Sequence, residues 1–157
     1  MRAACPGGIR FRIGGLTVSA THGGFSAVNR FIFPSDHAAI ADECARTDSD
    51  IVLAGHSGVP FAQRCGSQWW LNAGVVGMPA NDGDPRTHFL TLTPDADGVK
   101  VRFNRIAYDP DTAAAEMRGP GSAEAYPRAL ETVFRPKPAT IPAPLPASAR
   151  QPTHPVP

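Results

Sequence analysis

The stretch IVLAGHSGVPFAQRCGSQWWLNAGVVGMP, Ile51 to Pro79, decides how the chain is read. It opens on the apolar run Ile51-Val52-Leu53-Ala54, the pattern of a buried strand. Gly55 ends the run and His56 follows, so a strand delivers an imidazole into the loop zone at the sheet edge, where chemistry is usually carried. Ser57-Gly58-Val59-Pro60 turns the chain. Phe61 to Arg64 and Gln68 to Leu71 then pair as short strands across Cys65-Gly66-Ser67, and Asn72-Ala73-Gly74 makes a further turn. Side chains alternate along a strand, so Trp69 and Trp70 fall on opposite faces, one in the core and one over a sheet face.

On the N-terminal side, Ile9 to Ile13 alternates apolar and basic residues, the period of a half-exposed strand. Gly14-Gly15 is a hairpin turn, and Leu16 to Ala20 is the return strand. That strand runs into Thr21-His22-Gly23-Gly24, the same device as at His56: a strand that ends in a histidine beside glycine. Phe25 to Pro34 reads as loop or short helix. Ser35-Asp36 offers an N-cap for a helix over Ala38 to Arg46, which leads back to the strand at Ile51 in a βαβ-like passage.

On the C-terminal side, Asn81-Asp82-Gly83-Asp84-Pro85 is a dense turn signal. Thr87 to Thr93 and Val99 to Tyr108 form an antiparallel hairpin. Asp109-Pro110 starts a short helix over Thr112 to Arg118, and Ser122-Ala123-Glu124 starts another that runs to about Phe134. From Pro136 proline recurs among small residues, which predicts a folded part over 1–135 and an extended, disordered tail over 136–157.

Composition narrows the function classes. A chain of 157 residues fits one domain, and a net charge of +1 makes no electrostatic case for nucleic acid or an anionic membrane. No apolar run approaches the roughly 20 residues of a transmembrane helix, and the start MRAACPGGIRF has no hydrophobic h-region. Cys5, Cys44 and Cys65 are widely spaced, odd in number and without a CxxC pair, which favours a reducing, cytoplasmic setting over a disulfide framework or a structural zinc site.

Neutral imidazole is the commonest metal ligand, and a neighbouring glycine lets backbone approach closely. His22 and His56 are therefore the candidate metal ligands; the alternative is a pair of loop histidines with hydrogen-bonded nitrogens. His37 at a helix start and His88 in a strand read as structural or exposed, and His154 lies in the tail. Asp36, Asp42, Glu43, Asp48 and Asp50 read as a solvated helix face and its end, and Asp82 and Asp84 as turn residues. Neither a G-x-S-x-G elbow nor a phosphate-binding P-loop occurs.

The ordered set of motifs resembles the C-terminal half of calcineurin-like metallophosphoesterases over roughly residues 9 to 135. The matching pieces are the strand into His22-Gly23, the helix, the strand into Gly55-His56, the Pro60 turn and Asn72-Ala73-Gly74-Val75-Val76-Gly77-Met78-Pro79. After these come the Asp82-Gly83-Asp84-Pro85-Arg86 turn and the hairpin that ends at Tyr108-Asp109. They are similar to the family's HG, GHxH and N-P-G-S-V-G-x-P-R segments. The resemblance implies an α/β fold of mixed sheets, the C-terminal half of a four-layer αββα sandwich. It implies a divalent metal centre of manganese, iron, zinc or a similar ion that hydrolyses a phosphoester substrate. By position it makes His22 and His56 ligands of the second metal. Arg30 is a candidate phosphate contact, with a plain surface residue as the favoured alternative.

Two departures shape the expectation. The Asp-x-His, Gly-Asp and Gly-Asn-His motifs of the family's N-terminal half do not occur before His22. Gly58 also stands where GHxH carries a ligand for the first metal. The chain is therefore expected to be a truncated phosphoesterase domain that binds metal weakly and has little phosphatase activity alone. A missing half also predicts an uncovered inner sheet face, hence a partner: a separate N-terminal half or a homo-oligomer. The alternative function is a non-enzymatic α/β interaction module, with the Pro-rich tail as a polyproline ligand, or a subunit that completes a split phosphoesterase.

Overall fold

The computed structural model describes residues 8–119, 123–134 and 154–156. Five strands form a mixed sheet: β1 (Ile9–Ile13), β2 (Leu16–Ala20), β3 (Ile51–Ala54), β4 (Pro60–Cys65) and β5 (Gln68–Ala73), in the spatial order β1-β2-β3-β5-β4. β2, β3 and β5 run parallel at its centre, and the two flanking pairs are antiparallel hairpins. Helix α1 (His37–Cys44) is the crossover from β2 to β3, as the βαβ pattern predicts. A second sheet holds β6 (Thr87–Asp95), β7 (Gly98–Ile106) and β8 (His154–Val156), in that order. Helices α2 (Pro110–Met117) and α3 (Ala125–Thr132) pack on each other. Asp109 caps α2 by accepting from the Asp111 and Thr112 backbone N–H groups, with Pro110 at the first turn.

Alternation along the central strands divides the core in two. Val52, Ala54, Phe61 and Trp70 point to one side, where they bury Ile32 and the Ile40 and Cys44 face of α1. Ile51, Leu71 and Val18 point to the other, against Val99 and Val101 of β7, with Leu53, Trp69, Leu90, Leu92 and Phe103 around them. The two tryptophans thus serve opposite faces, as their adjacent positions require. At roughly 1.5–3 kcal/mol per fully buried aliphatic side chain, either cluster outweighs any exposed ion pair in the molecule.

The second cluster corrects one expectation. The inner face of the five-stranded sheet is not stripped: the β6–β7 hairpin of the same chain covers it along β2, β3 and β5. Gly14 lets the β1–β2 turn lie directly on Gly98, because a side chain there would strike the Gly98 carbonyl and Val99. Among the described residues the cover thins along β1, where Ile13 still packs against the cluster. Phe11 pairs opposite Val18 and so faces the same side, yet it is 40% exposed, and Ile9 is 71% exposed.

The end of the expected disordered tail is also different. Residues 154–156 form an antiparallel strand on β7, with Val99 opposite Val156 and Val101 opposite His154. An edge of β7 offers unpaired backbone groups, and proline tolerates an edge position. The stretch 135–153 lies outside the described residues. No helix among the described residues is long and apolar enough to cross a membrane.

Candidate metal-binding edge

The parallel pairing of β2 with β3 continues past both strand ends. Thr21 N–H donates to the Leu53 carbonyl at 2.9 Å, and Gly55 N–H donates to the His22 carbonyl at 2.7 Å. These bonds carry His22 and His56 out of the sheet side by side. His56 Nδ1 lies 3.0 Å from His22 Nε2, and the rings meet edge to face with centroids 4.9 Å apart. The structure thus brings the two strand-end histidines of the sequence into contact.

The turn after β3 is built to present His56. His56 itself has φ of 59° and Gly58 has φ of 69°, both left-handed. Histidine accepts that region at a cost of roughly 1–2 kcal/mol, whereas glycine has none. Ser57 N–H donates to the Gly55 carbonyl at 2.6 Å. Asn72, fully buried at the end of β5, binds the turn from below: its amide donates to the Gly55 carbonyl at 2.8 Å and to Ser57 Oγ at 2.9 Å. Its carbonyl oxygen accepts from Gly74 N–H at 3.0 Å.

The Phe31 ring lies 4.3 Å from the His56 ring and stacks on Phe33 at 6.3 Å. Burial lowers the pKa of His56, the neighbouring His22 lowers it further, and the Asn29 carbonyl acts in the opposite direction. His56 is therefore held toward the neutral form that a metal requires. Its buried Nε2 has no hydrogen-bond partner among the described residues.

The segment from Gly23 to Phe31 reaches from one histidine to the other without helix. Gly23 is required by space, since a Cβ there would stand 2.6 Å from the Val28 carbonyl oxygen and 2.7 Å from that of Arg30. Glu43 of α1 holds the segment from beneath and corrects the reading of the helix carboxylates as solvated. Its side chain is 0% exposed. It accepts from Phe25 N–H at 2.6 Å, Ser26 N–H at 3.1 Å, the Ser26 hydroxyl and Arg30 Nη1 at 2.7 Å. Burial alone would raise the Glu43 pKa, but these donors reverse the effect and leave it below the ordinary value. No local sequence signal marked Glu43: a helix periodicity cannot say which carboxylate a distant loop will cover. Arg30, the candidate phosphate contact, directs Nη1 to Glu43, to Asp42 at 3.1 Å and to Ser26 Oγ at 3.0 Å.

The remaining candidate residues make other contacts. His37 Nδ1 meets the Gln63 amide at 2.6 Å. His88 is buried in β6 beside Gly74, where burial and Arg105 lower its pKa against the opposing pull of Asp82 and Asp84. Asp82 pairs with Arg105 at 3.0 Å, and Asp84 bridges Arg105 and Arg86. Cys44 and Cys65, far apart in sequence, share one side of the sheet, and burial with the Cys65 thiol nearby pushes the Cys44 thiol up to about 12.

Two imidazole nitrogens 3.0 Å apart suit one side of a metal ion. They do not make a complete centre, since catalytic zinc generally has three protein ligands and two-metal sites add bridging carboxylates. No group of three or more His, Cys, Asp or Glu that could hold a metal occurs among the described residues.

No family model matches the chain, and no curated protein matches it significantly. Solved structures do. The protein PH1004 of Pyrococcus horikoshii is similar with a TM-score of 0.66 at 16% identity, over 80% of this chain and 50% of that one. A metallophosphoesterase from Sphaerobacter thermophilus is similar with a TM-score of 0.65 at 22% identity, over 81% of this chain and 59% of that one. Vps29 of Chaetomium thermophilum is similar with a TM-score of 0.51 at 14% identity, over 66% of this chain and 51% of that one. The chain has a metallophosphoesterase-like fold and spans half to three-fifths of the length of these structures.

Proposed function

We propose that this chain is a phosphoesterase-type half-domain that contributes two ligands, His22 and His56, to a divalent metal centre acting on phosphoester substrates. The observation that carries the reading is the 3.0 Å approach of His56 Nδ1 to His22 Nε2 at the ends of adjacent parallel strands. The bound metal would supply Lewis acidity and a water of lowered pKa. The chain's own share is to hold two neutral imidazoles with Asn72 and the Gly55–Ser57 turn behind them. Any contact of Arg30 with phosphate must share its guanidinium with Glu43 and Asp42.

The remaining ligands come, in this reading, from a complementary half on a second polypeptide or a second copy. The exposed Ile9 and Phe11 at the uncovered end of the inner sheet face favour such a partner. The same surface supports the second reading, a non-enzymatic interaction module. A reducing, cytoplasmic setting suits the unpaired Cys44 and Cys65.

Calorimetric titration with manganese and zinc separates the readings. Weak binding that disappears in His22→Ala, with little hydrolysis of p-nitrophenyl phosphate by the chain alone, is the expected result. Tight binding of two metals per chain would sink the half-site, and no binding at all would favour the interaction module.

A further inference from the structure

We infer that Glu43 is a positioning residue for the His22–His56 pair; the inference rests on the reading of those histidines as metal ligands. A wholly buried carboxylate is costly unless its oxygens are satisfied. Here they are satisfied almost entirely by one segment. Phe25 N–H, Ser26 N–H, the Ser26 hydroxyl and the Arg30 guanidinium all donate to Glu43. Gly24 permits the approach, because a Cβ on it would stand 2.8 Å from Glu43 Oε1.

Phe25 also packs against the first core cluster, but beyond it the middle of the segment is open. Residues 26–29 are exposed, and Val28 is 50% exposed. Both of its ends are at the site. It begins directly after His22, and its last residue, Phe31, packs on the His56 ring at 4.3 Å. The Asn29 carbonyl acts on His56 as well. Helix α1 therefore fixes, through one carboxylate, the backbone that orients the first imidazole and the ring that backs the second. Glu43 touches neither histidine. Its effect passes through the segment, much as outer partners of metal ligands set ligand geometry.

The test compares Glu43→Gln with Leu92→Ala, a control that weakens the core on the opposite side of the central sheet. Cobalt(II) is the probe, followed by its absorption, with thermal unfolding in parallel. Glu43→Gln is expected to weaken cobalt binding roughly tenfold, in the range of outer-shell substitutions, while Leu92→Ala leaves affinity unchanged at a comparable loss of stability. Equal affinities in wild type and Glu43→Gln, or equal losses in both variants, overturn the inference. Should Glu43→Gln fail to fold, Ser26→Ala removes one donor from an exposed residue; reduced cobalt affinity supports the role and unchanged affinity overturns it. Absence of cobalt binding by the wild type would count against the metal reading itself. Positioning is then read by NMR from the Phe31–His56 ring contact: its loss in Glu43→Gln but not in Leu92→Ala supports the role, and its persistence overturns it.

Discussion

His56 Nδ1 stands 3.0 Å from His22 Nε2 because two backbone bonds extend the β2–β3 pairing beyond the last paired residues, Ala20 and Leu53. The contact is thus a property of strand register before it is one of side chains. The loop conformations around it then decide how firmly the pair is held.

The left-handed backbone at His56 makes its replacements behave unusually. Alanine keeps the strain of φ 59° and loses the ring contact with Phe31, whereas glycine relieves the strain. His56→Gly is expected to be more stable than His56→Ala by about 1 kcal/mol, with metal binding lost in both. Urea denaturation of the two variants measures the order, and a more stable alanine variant would contradict it.

Asn72 ties three backbone and side-chain groups together in a fully buried place. Asn72→Ala leaves the Gly55 carbonyl, the Ser57 hydroxyl and Gly74 N–H without it, and each unsatisfied buried group costs about 1–3 kcal/mol. A loss of about 3 kcal/mol is expected, with weakened metal binding. Asn72→Asp retains an acceptor for Gly74 but offers no amide donors, so it should recover only part of the stability. Equilibrium unfolding with m-values and metal titration together check both statements.

His88 gives the fold an acid sensitivity. Burial depresses its pKa first, Arg105 adds to this, and Asp82 and Asp84 oppose it. The unfolded chain therefore takes up this proton before the folded one. The His88 contribution is fully present above the ordinary value of 6.5 and is lost as pH falls through the depressed folded value. Thermal melting from about pH 8 to about pH 5 should fall more steeply in wild type than in His88→Gln. Parallel profiles would assign the sensitivity elsewhere.

Cys44 should be chemically quiet although it is a free thiol. It is 1% exposed, and burial with its Cys65 neighbour pushes the thiol up to about 12. The thiolate is the reactive form. Brief alkylation of the native protein near pH 8 is expected to modify the half-buried Cys65 well before Cys44, as peptide mass spectrometry would reveal. Comparable rates at the two residues would contradict the burial of Cys44.

The sequence by itself determined the central elements and their faces, though not the strand at 154–156. Alternation along Ile51–Ala54 and the adjacent Trp69 and Trp70 assigns side chains to two sides, since a strand has period two whatever surrounds it. Gly14-Gly15, Cys65-Gly66-Ser67 and the Asp109-Pro110 start mark turns and a helix cap through local backbone preferences alone, although Cys65 itself ends β4. It also marked His22 and His56 as strand-end residues. Only the tertiary structure decided what those elements meet. The β6–β7 hairpin covers the central sheet, Asn72 braces the His56 turn, and Glu43 is buried beneath the segment after His22 rather than exposed on its helix. Each of these depends on contacts between residues more than ten positions apart. Periodicity within one helix or strand carries no record of which distant backbone will come to lie on it.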